Sequence, residues 1–178
     1  MSVLSYLESL GSSLVLSENE KSSISISINT LKSRLDNYFA YEENYTISEK
    51  FVFGSYDRET ILPRKCDDDS DVDFIVVFKN EYNYKPQTFL NKLKDFAETK
   101  YSTSEIYRSY PTVVLELSHI KFELVPAYKN YNTYYIPSPS NYLTDWIDTY
   151  PQKIKSDLIE KNKTINKTNE ILECKKSR

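Results

Sequence analysis

Glycine occurs only twice in the 178 residues, histidine and tryptophan once each, and cysteine twice. Cys66 and Cys174 are too far apart to form a disulfide framework or the paired spacing of a zinc site. The single histidine, His119, falls in a turn between two predicted strands, where it reads as a solvated surface group rather than a general base. No apolar run approaches the length of a membrane-spanning helix, and no repeat or signal peptide is visible at the start. The expectation is therefore a cytoplasmic chain without membrane contact. An excess of positive charge is also lacking: 23 Lys and Arg face 26 Asp and Glu, giving a net charge of -3 and a pI near 5.4. Such a chain carries no strong nucleic-acid-binding signal. The lysines from Lys153 to Lys176 are interleaved with acids and read as a solvated helix face.

The length and a hydrophobic fraction of 39% suit a single domain spanning 1–178 with one core. Ser2 to Leu10 is a short helix by pattern. Ser17-Glu18-Asn19-Glu20 has the form of a capping box, and Ile24, Ile28, Leu31 and Leu35 recur at helical spacing. The spacing predicts a long amphipathic helix from Glu18 to Tyr41. Thr46 to Phe53 reads as a strand that runs into Gly54-Ser55, where a short helix begins. Asp71 to Phe78 is an almost continuous apolar run, as in a central strand covered on both faces. Asn80 to Lys85 is a loop, and Pro86 opens a helix whose inner face is Phe89, Leu93 and Phe96. Thr112 to Leu117 and Ile120 to Val125 form a hairpin. Tyr134 to Ile136 is a short edge strand. Asn141 to Thr149 is predicted helical with Trp146 inward, Pro151 to about Leu172 forms a final polar helix, and 173–178 frays. The fold class expected is α/β (α+β): a mixed, twisted sheet of about four or five strands with helices mainly on one side.

Three features carry chemistry. The strand-to-helix turn at Gly54-Ser55 leaves backbone N–H groups free, and with the helix dipole these suit a phosphate. Gly54 permits close approach of a ligand, and the Ser55 hydroxyl adds a donor. Asp71 and Asp73 are two apart on a strand and project to one face. Their mutual repulsion calls for a positive charge, and magnesium favours carboxylate and phosphate oxygens. Glu123 is an acid inside an apolar strand, costly to bury alone. If its strand lies beside that of Asp71, it completes a three-carboxylate metal site. Otherwise it faces solvent, or pairs across the pleat with Lys121. Arg58 and Lys65 are candidates for contact with a triphosphate or are simply surface charges.

Gly54-Ser55, then Asp71-x-Asp73, then a third acid on a later strand resembles the polymerase-beta-like nucleotidyltransferase superfamily. The stretches Phe53 to Phe78 and His119 to Tyr128, the long N-terminal helix and the segment Asp145 to Pro151 are similar to one branch of it. That branch is the bacterial cyclic-oligonucleotide synthases of anti-phage signalling, the SMODS family, related to animal cyclic GMP–AMP synthase and oligoadenylate synthase. The resemblance implies metal-dependent transfer from a nucleoside triphosphate donor to a second nucleotide. Asp71, Asp73 and Glu123 would hold two magnesium ions, with manganese as an alternative, and Gly54, Ser55 and Arg58 would bind the nucleotide. It also implies N-terminal helices at 1–44, a catalytic sheet core at 45–136, and C-terminal helices at 137–178 that begin a second helical lobe. The chain departs from the family in having Glu59 where glycine is frequent, Glu123 where Asp is frequent, and a sequence that ends where that lobe is expected. An apolar face left there would favour self-association or a partner protein. Two alternatives stay open: a minimal nucleotidyltransferase that transfers AMP to a partner toxin, and a non-catalytic remnant that binds a nucleotide or a partner.

Overall fold

The computed structural model describes residues 2–80 and 83–163. Helix α1 (Val3–Ser13) begins at the Ser2 cap and buries none of its residues. Helix α2 (Glu18–Phe39) starts at the expected capping box, in which the Ser17 hydroxyl accepts from the Glu20 N–H and the Glu20 carboxylate accepts from the Ser17 N–H. It stops two residues before the predicted end. Ile24, Ile28, Leu31, Leu35 and Phe39 form its buried stripe, at the three-and-four spacing that keeps side chains on one helix face. That burial outweighs the weak helix propensity of its serines and isoleucines.

The sheet holds seven strands among the described residues, more than the four or five expected. They are β1 (Ile47–Val52), β2 (Asp71–Phe78), β3 (Glu105–Ser109), β4 (Thr112–Glu116), β5 (Lys121–Asn130), β6 (Thr133–Pro137) and β7 (Trp146–Thr149). The order is β1-β2-β5-β4-β3, and β6 extends the β4 side of β5 at its far end before pairing with β7. Only β2 and β5 run parallel; the other pairs are antiparallel. Helix α4 (Pro86–Lys100) lies in the crossover between the two parallel strands, with Pro86 in its first turn. The four-residue helix α3 (Gly54–Asp57) follows β1.

One strand was not anticipated, and two expectations are corrected. Glu105–Ser109 is a strand: it alternates exposed and half-buried residues at the sheet edge, so it lacks the apolar run that marks β2. The predicted helix from Asn141 to Thr149 is instead a turn followed by β7, so 137–178 is not wholly helical. The Ser138 N–H donates to the Asp145 carbonyl at 2.8 Å, and Asn141, Thr144 and Asp145 bond to one another, closing a loop that brings β7 back onto β6. A nine-residue segment earns more from sheet pairing than from two isolated helical turns. In consequence β6 is flanked on both sides and is not an edge strand. Trp146 does pack inward, with its Nε1 donating to the Tyr84 carbonyl at 3.1 Å. The predicted final helix is present over 153–163; its continuation to Leu172, the tail 173–178 and Cys174 lie outside the described residues. No helix among the described residues is long and apolar enough to cross a membrane.

The two faces of the sheet differ. Val72, Phe74, Val76 and Phe78 point toward α2 and α4, where they meet Leu31, Leu35, Phe39, Phe89, Leu93 and Phe96 in the main core. Phe78 and Phe89 stack with ring centroids 4.6 Å apart. The opposite face carries a smaller cluster of Ile75, Val77, Val125 and Ala127, flanked by Phe51, Phe53, Tyr134 and Ile136. Helices therefore pack mainly on one side. Truncating the fully buried Leu93 to Ala should cost about 2–5 kcal/mol in a urea unfolding titration, whereas Ile26→Ala, on the exposed side of α2, should change stability by less than about 0.5 kcal/mol.

Candidate active site

Asp71 and Asp73 open β2 on the face away from the main core. The parallel register sets Asp73 opposite Glu123 and Asp71 opposite Lys121, and in-register residues of paired strands share a face. The three carboxylates expected from sequence are thus brought together. The Glu123 carboxyl shares a hydrogen bond with Asp71 and lies within the electrostatic reach of Asp73. The Thr112 hydroxyl of β4 approaches Glu123 Oε2 at 3.4 Å while donating to the Ser109 carbonyl at 2.7 Å. Lys121 does not pair with Glu123: its closest carboxylate oxygens belong to Asp69 and Asp71.

Gly54 and Ser55 adjoin this cluster through Asp73. The Phe53 N–H donates to the Asp73 carbonyl at 3.0 Å, which ties the end of β1 to β2. Gly54 has φ +71°, and a Cβ there would fall 1.7 Å from Asp73 Oδ2. Only glycine lets the carboxylate lie against this backbone. The Ser55 N–H lies near that carboxylate and favours its charged form. The turn expected to cradle a phosphate thus also borders Asp73, and α3 is too short to add much dipole. Arg58, at the end of α3, places its guanidinium charge near Asp73. Lys65 touches none of these carboxylates; it lies in the turn after α3 and acts on Glu20 of α2.

Burial is the first cause of the unusual electrostatics. It pushes the Asp73 carboxyl up to about 6, with the Asp71 charge adding to the rise and Arg58 and the Ser55 N–H opposing it. Burial likewise raises Asp71, against the pull of Lys121. It raises Glu123 too, reinforced by the charges of Asp71 and Asp73. Three carboxyl groups on one face therefore disfavour one another's ionisation, as acidic sites awaiting positive charge do. Among the described residues, no group of three His, Cys, Asp or Glu side chains is placed to hold a metal ion as it stands. The carboxylates stand as an open platform on the face of the sheet away from the main core.

The sign of the pH effect follows. Folded Asp73 keeps its proton to about pH 6, whereas the unfolded group releases it near 3.8. Between those values the folded chain binds more protons, so stability falls as pH rises through the window and stays lower above it. Asp73→Asn should exceed the parent in stability by roughly 1–2 kcal/mol at pH 8, after allowance for partial exposure. The difference should vanish near pH 4, as urea titrations at the two pH values would measure.

The family profile described as Second Messenger Oligonucleotide or Dinucleotide Synthetase domain (SMODS) matches residues 1–162. Among solved structures, the chain is similar to the CD-NTase CdnG of Bradyrhizobium diazoefficiens in complex with GTP, with a TM-score of 0.64 and 13% identity over 78% of this chain and 41% of that one. It is similar to CdnC of E. coli MS115-1 in complex with HORMA-deltaN, with a TM-score of 0.62 and 15% identity over 86% and 48% of the two chains. A third likeness is to the CdnE cyclic dinucleotide synthase of Elizabethkingia meningoseptica with GTP and Apcpp, with a TM-score of 0.58 and 18% identity over 78% and 52%. The chain spans about half the length of these structures or less. No curated protein sequence matches it.

Proposed function

The chain belongs to the family of second messenger oligonucleotide or dinucleotide synthetase domains, and from that premise we propose that it is a divalent-metal-dependent nucleotidyltransferase. Its donors are nucleoside triphosphates, ATP or another ribonucleotide, and its product is a cyclic di- or oligonucleotide messenger of antiviral defence. The observation that carries this reading is the placement of Asp71, Asp73 and Glu123 on one face by the β2–β5 register. The similar structures of CdnG and CdnE, described with GTP and with GTP and Apcpp respectively, support the choice of donor class.

The residues present fit magnesium. All three side chains offer hard oxygen ligands, their carboxyls are raised by burial and mutual repulsion, and Gly54 leaves space against Asp73 that any side chain would fill. Asp71, Asp73 and Glu123 would hold two such ions, or manganese in their place. When bound, these supply Lewis-acid charge at the donor phosphates and lower the pKa of the attacking hydroxyl. The rest falls to the chain itself. The Ser55 N–H favours the charged form of Asp73, and the Thr112 hydroxyl lies beside Glu123. Arg58 places a permanent cation next to the platform, where triphosphate oxygens can accept its hydrogen bonds. Such preorganisation matters because donor and acceptor must be aligned before transfer.

Calorimetric titration with ATP and GTP tests the reading. Binding should need magnesium or manganese and should disappear in EDTA and in an Asp71→Asn, Asp73→Asn variant. A folded Gly54→Val variant should lose at least tenfold in affinity, because its side chain displaces the Asp73 carboxylate. Equal binding with and without metal would overturn the metal-dependent reading. Incubation with labelled ATP identifies the acceptor: label in a small oligonucleotide supports the proposal, and label on a protein overturns it.

A further inference from the structure

Lys121 stands on the same face as the carboxylates, opposite Asp71 in the β2–β5 register. Its side chain is nine-tenths buried, yet it makes no tight ion pair. Nζ lies 3.9 Å from Asp71 Oδ2 and 3.6 Å from Asp69 Oδ1, beyond the N–H···O range of about 2.7–3.2 Å. Asp69 is almost fully exposed, and a pair with so solvated a partner adds little to stability. Glu116, opposite Lys121 on β4, is already paired with Arg64. A lysine whose side chain is this buried is ordinarily held in close hydrogen-bonded pairing. This one instead stands beside a group of carboxylates, and its charge eases the ionisation of both Asp71 and Glu123.

From this placement we infer that Lys121 is a positioning residue: a resident counter-ion that holds the carboxylate platform together and weakens its grip on a free divalent cation. The inference rests on the reading that Asp71, Asp73 and Glu123 take such a cation. A fixed positive charge close to the platform repels a second one, so the site fills poorly with free metal. A triphosphate offsets that repulsion with its own negative charge. The cation is then taken up together with the donor nucleotide rather than ahead of it, which keeps the platform from being occupied without substrate.

Manganese binding, followed by the loss of the free-ion paramagnetic resonance signal at pH 8 without nucleotide, tests this on the full chain. Lys121→Met and Lys121→Gln should bind manganese about tenfold more tightly than the parent, as removal of a nearby like charge requires. Lys121→Arg, which keeps the charge, should stay close to the parent. Without metal the neutral variants should melt at lower temperature, and manganese should raise their melting temperature by more than it raises the parent's. A residue needed only for packing would give unchanged or weaker binding, and that result in the neutral variants would overturn the inference while leaving the metal site standing. Failure of both neutral variants to fold even with manganese would overturn it as well, since Lys121 would then be a fold-locking residue. If neither the parent nor the two neutral variants bind manganese at millimolar concentration, the carboxylate reading falls, and the inference with it.

Discussion

The parallel pairing of β2 with β5 is the constraint on which the site depends. It runs unbroken from Asp71 opposite Lys121 to Phe78 opposite Tyr128. A slip of one residue would turn Glu123 into the helix-covered core and bring Phe122 or Leu124 out beside the aspartates. Such a slip is opposed by the main core, where Val72, Phe74, Phe122 and Leu124 are all fully buried. The apolar packing beneath the sheet thereby fixes a polar arrangement above it. The Phe39, Phe78, Phe89 and Phe96 cluster contributes to the site only in this sense, by holding two strands in register.

The platform itself costs stability. Burial raises all three carboxyl groups, and each charge disfavours the next. The protein supplies partial compensation from several directions: the Ser55 N–H and Arg58 act on Asp73, and Lys121 acts on Asp71 and Glu123. None of these is a close, desolvated ion pair that would neutralise the cluster. Repulsion left in place at a site is stored affinity for a cation, and its location on an otherwise well-packed sheet marks where local stability has yielded to chemistry.

The turn after β1 serves that platform more directly than it serves a phosphate. Gly54 occupies a left-handed conformation with Asp73 pressed against it, and the Ser55 N–H favours the charged form of the same carboxylate. A short helix of four residues adds little field of its own. The cationic charge near the carboxylates therefore comes chiefly from side chains, Arg58 at the end of α3 and Lys121 on β5.

Much of this was legible in the sequence wherever a single segment carries its own signal. The capping box and the apolar spacing located α2, the continuous run located β2, Pro86 located α4, and the i, i+2 aspartates determined that Asp71 and Asp73 share a face. Segments whose structure depends on a neighbour were not legible. Residues 105–109 have too few apolar side chains to declare a strand, and 146–149 became one only because a loop closed by Ser138 and Asp145 returned it to β6. The same holds within the site. The sequence by itself determined which acids were available and that Gly54-Ser55 preceded them. Only the tertiary structure decided that Glu123 faces Asp73, that Lys121 lies by Asp71 rather than by Glu123, and that the Asp73 carboxylate lies against Gly54. Side-chain alternation is a property of one strand, whereas the face two strands share is a property of their register, and that register was set by how their apolar sides packed against α2 and α4.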